Sequence, residues 1–373
     1  MPRAKTSWPT DMEPVLPREL SRRVLMAGNY YRHHHPGGIS AVVQYWAPYI
    51  EKLQYYPTYR LASLPVRAWW FATSYARMAL RMATDPGVKI VHLHSAADGS
   101  FWRKTRLTNL AKVLGRQVVL HIHASRFKDF YTEASPRRQR SILRTLRRAD
   151  VLVVLSESWR RWFESIGVEP DRIRVLRNIT AYPVLRPELK QPDGRLHLLF
   201  MGEIGPRKGV FDILHAIADH KDEFGGRLLL SIGGNRNEEE LLDTIRRYGL
   251  EDIVKFEGWV GGDKKIELLN RADVFILPSY NEGLPISILE AMSYGHPIIA
   301  TPVGGIPEVV ETDVNGVLVE PGNHEQIYRA IKKYIDQPDL IGKEGAESTR
   351  RATPHLPTSV LHHLRTIYEQ LLS

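Results

Sequence analysis

The sequence predicts an α/β protein made of two doubly wound, Rossmann-like domains facing across a cleft. Three observations lead there. Short apolar runs ended by glycine, proline or serine alternate with helical stretches, the pattern of a parallel sheet covered on both faces. The alternation stops in a stretch rich in proline, glycine and charge, Ala181 to Arg195, and then restarts. A chain of 373 residues also exceeds one ordinary core.

Residues 1–20, polar and proline-rich, read as a loose tail rather than a signal peptide. Residues 21–185 form the first domain. Its expected strands are Arg23–Gly28, Lys89–His94, Gln117–His123 and Asp150–Ser156. After the first comes a polar loop with Pro36, Gly37 and Gly38, then a helix from about Ile39. Residues 186–355 form the second domain, with strands at Leu196–Gly202, Arg227–Gly233, Ile253–Gly258, Val274–Pro278 and His296–Ala300. A helix is expected from Val210 to Asp219. Residues 356–373 form a terminal amphipathic helix, with Val360, Leu361, Leu364, Ile367, Tyr368, Leu371 and Leu372 on one face.

Composition narrows the function classes. Hydrophobic content of 43% and charged content of 25% are ordinary for a soluble globular protein. No apolar stretch reaches the roughly 18–20 residues of a membrane span. The richest, Ala68–Ala72, is soon interrupted by Arg77. Without cysteine there is no disulfide framework, thiol nucleophile or zinc–thiolate site, which fits a cytoplasmic location. The net charge of +9 is unevenly spread: residues 1–185 hold 30 Lys/Arg against 13 Asp/Glu (+17), and residues 186–373 hold 21 against 29 (−8). Only the first half is expected to meet an anionic surface. Its cations concentrate at Arg103, Lys104, Arg106, Lys112 and Arg116, and at Arg137, Arg138, Arg140, Arg144, Arg147 and Arg148. Both are helical stretches with interleaved apolar residues. They suit an anionic bilayer surface, or equally a core-facing helix with a solvated basic side. Nucleic acid is not expected, since no recognition motif accompanies the charge.

The chemistry concentrates in Ser279–Met292. Glu282 and Glu290 lie eight residues apart, separated by a Gly283-Leu284-Pro285 turn that ends a strand and starts a helix. Such a turn presents free backbone N–H groups at a sheet's carboxyl end, a place that binds anions. A ligand with both phosphates and hydroxyls, such as a sugar nucleotide, accounts for acids beside an anion site. Glu290 also reads as a solvated helix residue, and Glu282 as a helix cap. A second loop, Gly202–Gly209, places Arg207 and Lys208 at a helix N-terminus, where cations oppose the macrodipole unless a diphosphate sits there. Gly37-Gly38 allows close backbone approach to a ligand. Neither domain carries a full Gly-x-Gly-x-x-Gly, which argues against a nicotinamide site. His92/His94 and His121/His123 are i,i+2 pairs near strand ends, and His33, His34 and His35 crowd the first loop. Acidic companions at ligand spacing are absent, so no metal is expected. A single histidine bonding a sugar or a departing phosphate fits better.

Together these residues resemble the retaining glycosyltransferases of family 4, whose fold is the two-Rossmann GT-B architecture. The resemblance runs from about Val24 to Ile327 and is strongest from Leu196 to Val319. The family's Glu-x7-Glu matches Glu282 and Glu290, its glycine-rich first loop Gly37-Gly38, and its Arg-Lys-Gly loop Arg207-Lys208-Gly209. Its histidine followed by a small residue matches His123-Ala124, and Gly295–Glu308 resembles a further signature. The resemblance implies that Glu282 and the amides of Gly283 and Leu284 hold the donor sugar, and Glu290 the ribose hydroxyls. It implies that Arg207 and Lys208 neutralise the diphosphate, that Gly38 approaches it by backbone, and that His123 contacts the transferred sugar. The terminal helix would cross back onto the first domain. The implied activity is metal-independent transfer of a hexose-type sugar from a UDP- or GDP-sugar, with no cofactor. With the basic first half, the acceptor is expected to be a glycan, lipid-linked, at the inner face of the plasma membrane. The rival readings are a sugar-nucleotide epimerase or hydrolase on the same fold, and a non-enzymatic basic membrane-binding protein. One position departs from the pattern: Glu203 stands where many relatives carry a phosphate-binding arginine.

Overall fold

The computed structural model describes residues 14–31, 38–123, 125–189 and 193–373. Gly37, Ala124, His33, His34 and His35, and residues 1–13 of the tail, lie outside the described residues. The chain forms two compact units, one of residues 14–179 with 355–373 and the other of residues 180–354.

The first unit is built on a six-stranded parallel sheet. Its strands are β1 (Val24–Asn29), β2 (Tyr55–Tyr59), β3 (Ile90–Ser95), β4 (Gln117–Ile122), β5 (Val151–Val154) and β6 (Ile173–Val175). They lie in the order β2-β1-β3-β4-β5-β6, with Met26 opposite Tyr55 and His94 opposite His121. Every residue of β3 and β5 is buried, as a sheet covered on both faces requires. The core gathers Leu25, Leu93, Phe101, Leu120, Phe127 and Phe163. The helix Pro357–Leu372 belongs to this unit and packs on the helix Gly38–Trp46. It buries Val360, Leu361, Leu364, Ile367 and Tyr368, while Leu371 and Leu372 stay half-buried. Each fully buried aliphatic side chain of that face contributes about 1.5–3 kcal/mol.

The second unit repeats the plan with β7 (Leu196–Met201), β8 (Leu228–Gly233), β9 (Val254–Phe256), β10 (Val274–Leu277), β11 (Ile298–Ala300) and β12 (Gly316–Leu318). The order is β12-β11-β10-β7-β8-β9, all parallel. Sequence order reverses between β7 and β10 here, and between β1 and β3 in the first unit. At such a switch point the loops leaving two adjacent strands diverge and open a crevice at the sheet's carboxyl end. The loops that follow β7 and β10 are Gly202–Gly209 and Pro278–Pro285.

The nine expected strands are present, with ends moved by one or two residues, and Val210–Asp219 is a helix as expected. Three strands were not expected: β2, β6 and β12. All are sheet edges. β2 carries Pro57, which only an edge tolerates, while β6 and β12 have three residues each, too few to show a period. Lys104 corrects the reading of a cationic helix face. It is fully buried and donates to the Thr58 hydroxyl. The helix Pro136–Arg148 follows the plainer alternative, with Ile142, Thr145 and Leu146 buried and its arginines outward.

Candidate active site

In the second unit the two motif loops are stitched together at the switch point. Gly209 closes the first loop with φ +70°, and a Cβ there would lie 2.2 Å from the Pro278 carbonyl oxygen. Only glycine lets the Arg-Lys loop approach the end of β10 this closely. The Tyr280 amide then donates to the Arg207 carbonyl at 2.9 Å, and the Arg207 guanidinium donates to the Asn281 carbonyl at 3.2 Å. From the far side, the Gly305 amide donates to the Gly283 carbonyl at 2.6 Å. Gly304, with φ +59°, leaves no room for a Cβ against the Glu282 carbonyl. The Thr301 hydroxyl bonds the Ser279 carbonyl.

This scaffold brings Lys208 and Glu282 into a direct ion pair, both largely buried. The Ser279 hydroxyl donates to the same Glu282 oxygen, Oε1, at 2.9 Å. Glu282 is therefore not a helix cap, and Lys208 is compensated by a carboxylate instead of facing the helix dipole alone. The Gly283 amide has no acceptor among the described residues. Leu284 is buried beside it. Glu290 is 7% exposed and accepts from Lys265 Nζ at 2.6 Å, which overturns its reading as a solvated helix residue. Glu203 lies 3.8 Å from the Arg207 guanidinium and 3.6 Å from that of Arg236. Its charge is thus offset by Arg207 of the same loop and by Arg236. Beside Arg207 runs a groove of about 440 Å³ lined by Phe211, Asp212, His215, Tyr248 and Tyr280.

In the first unit, His123 follows β4, half-buried, with its amide on the Ser95 carbonyl at 2.8 Å. Its Nε2 meets His94 Nδ1 at 2.9 Å. His92 bonds His121 at 3.2 Å and the Tyr368 hydroxyl at 2.6 Å. Trp46 stacks on His121 at 5.8 Å and meets His92 and His94 edge-on. Burial pushes His92 and His123 down to about 3, and pushes His94 and His121 well below the usual imidazole range. Four neutral imidazoles result, so His123 offers a hydrogen bond rather than a cation. His92, His94 and His121 are the one group among the described residues that could hold a metal, with ring nitrogens within 4.8 Å of one another. Gly38 begins the helix Gly38–Trp46, and a Cβ there would meet nothing within 4 Å. Packing does not require glycine at that position.

Residues 182–352 match the family described as glycosyl transferases group 1, and residues 20–178 match the glycosyl transferase 4-like domain. The chain belongs to the family 4 glycosyltransferases. Among its relatives in this family is the D-inositol 3-phosphate glycosyltransferase of Streptomyces griseus, 31% identical over 191 residues, covering 49% of this chain and 40% of that one. The putative colanic acid biosynthesis glycosyltransferase WcaL of Salmonella typhimurium is 30% identical over 191 residues, covering 49% and 47%. The chain thus spans less than half the length of either relative. A crystal structure of Anabaena HepE in complex with UDP-glucose shares the GT-B fold, with a TM-score of 0.74 at 18% identity over 94% of this chain and 99% of that one.

The structure adds two partners that the family motifs do not contain: Lys265 holds Glu290, and His94 fixes His123. Ser279 and Thr301, within motif segments, bind around Glu282. Lys265 sits in a charged run, Asp263-Lys264-Lys265, where nothing in the sequence separates it from a solvated neighbour. His94 was visible as half of an i,i+2 pair, but its hydrogen bond to His123 depends on the register of β3 against β4.

Proposed function

We propose that this family 4 protein is a retaining glycosyltransferase that moves a hexose-type sugar from a UDP- or GDP-sugar to a glycan acceptor, lipid-linked, in cell-surface polysaccharide assembly. The observation that carries the reading is the Lys208–Glu282 pair held by two stitched loops at the switch point. A cation and a carboxylate fixed side by side suit a ligand that presents a diphosphate next to hydroxyls. The diphosphate takes Lys208 and Arg207, while Glu282 and the amides of Gly283 and Leu284 take the sugar. Glu290, oriented by Lys265, takes the ribose hydroxyls. Gly38 lets its backbone approach the phosphates, and His123 bonds the transferred sugar as a neutral imidazole.

Cleavage of the sugar–phosphate bond leaves an oxocarbenium-like sugar and gathers negative charge on the leaving diphosphate. Arg207, Lys208 and the loop amides stabilise that charge without a metal, because they are placed before the reaction begins. The acceptor hydroxyl attacks from the face the diphosphate leaves, and a donor phosphate oxygen takes its proton. The anomeric configuration is retained and no covalent glycosyl-enzyme forms. HepE, whose structure was solved with UDP-glucose, supports a UDP-sugar donor.

The test is UDP or GDP release and product mass with a panel of nucleotide sugars, in wild type and Glu282→Gln. Turnover with one donor should fall by about 100-fold or more in the variant, with nucleotide affinity changed less than about 3-fold. Equal turnover in the two proteins would remove Glu282 from the reaction.

A further inference from the structure

We propose that the end of β2, the loop after it and the first turns of the helix Leu64–Thr84 form a face that docks on an anionic phospholipid bilayer. The proposal rests on the reading above that the acceptor is lipid-linked. Leu61, Leu64, Val66 and Trp69 are 68%, 73%, 46% and 63% exposed. Large apolar side chains gathered in so short a segment suit the boundary between headgroups and acyl chains. From Arg60 to Thr84 the sequence has no acidic residue to oppose a negative surface.

Cations frame this apolar face. The Arg60 guanidinium lies 5.7 and 5.6 Å from the ring centres of Tyr30 and Trp70. Arg67 and Arg103 approach the Tyr59 ring at 5.8 and 5.1 Å. With Leu64, Phe71 and Arg106 they line a groove of about 630 Å³. Burial weakens proton binding at Arg103, Tyr59 partly opposes this, and the neighbouring Arg67 adds to it. Two guanidiniums that repel one another beside a hydrocarbon wall are best met by an anion carried on an apolar body. A phospholipid phosphate is such an anion.

The other basic helix lacks one half of this combination. The helix Pro136–Arg148 turns its arginines outward but buries Ile142 and Leu146. It attracts a negative surface without inserting into it. A second copy of the chain is a poorer occupant of the β2 face, because a symmetric contact would set the same arginines against each other.

The experiment is flotation of the full chain with phosphatidylcholine vesicles, with and without about one-third phosphatidylglycerol. Binding should appear with the anionic lipid and weaken by about 10-fold or more in Leu64→Ser/Trp69→Ser and in Arg67→Glu/Arg106→Glu. Arg137→Glu/Arg140→Glu on the other basic helix should weaken it less. Wild-type partitioning by Leu64→Ser/Trp69→Ser, absence of binding, or a larger loss from the Arg137/Arg140 pair would overturn the proposal. So would self-association of the wild type that the Leu64/Trp69 pair abolishes. Calorimetric UDP-glucose and GDP-mannose affinities without vesicles separate the two readings. Failure to bind either donor counts against the transferase reading. Intact donor affinity with failed flotation counts against the docking face alone.

Discussion

Lys208 and Glu282 answer different needs in one contact. Each is a charge drawn largely out of water, and each is tolerable there because the other is present. Lys208→Ala leaves the Glu282 carboxylate with the Ser279 hydroxyl as its remaining side-chain partner. That variant should lose about 1–3 kcal/mol in denaturant unfolding and bind UDP or GDP about 10-fold more weakly. Unchanged calorimetric affinity would take Lys208 out of the phosphate site. At this scale the sequence points to Glu282, Lys208 and His123 because each residue type is tied to a motif. It was unreadable where the partner comes from elsewhere in the chain: Lys265 for Glu290, and Thr58 for the buried Lys104. A helical wheel shows which side of its own helix a residue occupies. It says nothing of the lysine that a neighbouring helix supplies.

Among the elements, the central strands declared themselves because both faces are buried and their runs are almost wholly apolar. Three of the four edge strands, β2, β6 and β12, did not, because a half-covered strand needs less apolar surface and can be as short as three residues. The loops are governed by glycines at positive φ. Gly209→Ala must fit a Cβ where the Pro278 carbonyl already lies, in a conformation that alanine disfavours. It should cost about 1–3 kcal/mol or more and separate the Arg-Lys loop from β10. A lower urea midpoint at unchanged slope, together with weaker nucleotide binding, is the expected pair of results. Wild-type behaviour in both would mean that the loop relaxes freely.

For the molecule as a whole, the two units share a wiring plan but differ in charge and in their response to acid. The cluster of His92, His94, His121 and His123 lies in the first unit. Burial lowers all four, His92 and His123 to about 3, while the unfolded chain titrates near 6.5, so below 6.5 the unfolded state binds more protons. Stability is full above that value and falls as the pH drops towards 3. Each histidine contributes up to about 1.4 kcal/mol per pH unit within the window. Between pH 6.5 and about 4.5 carboxylates add little, so a falling melting temperature there reports the histidines. His121→Phe should flatten the slope, and a flat profile from pH 7 to 5 would contradict the neutral cluster.

The hydrogen bond between Tyr368 and His92 also sets an order of events on the ribosome. The first unit receives its last buried helix only after residues 180–354 have been made. At typical synthesis speeds those intervening residues take about 9–35 s, so the early sheet waits with the seat of Val360, Leu361, Leu364 and Tyr368 uncovered. The second unit is contiguous and completes itself as soon as it emerges. Released chains that end before residue 357 should therefore hold a protease-resistant second unit and a first unit still open to cleavage near Trp46.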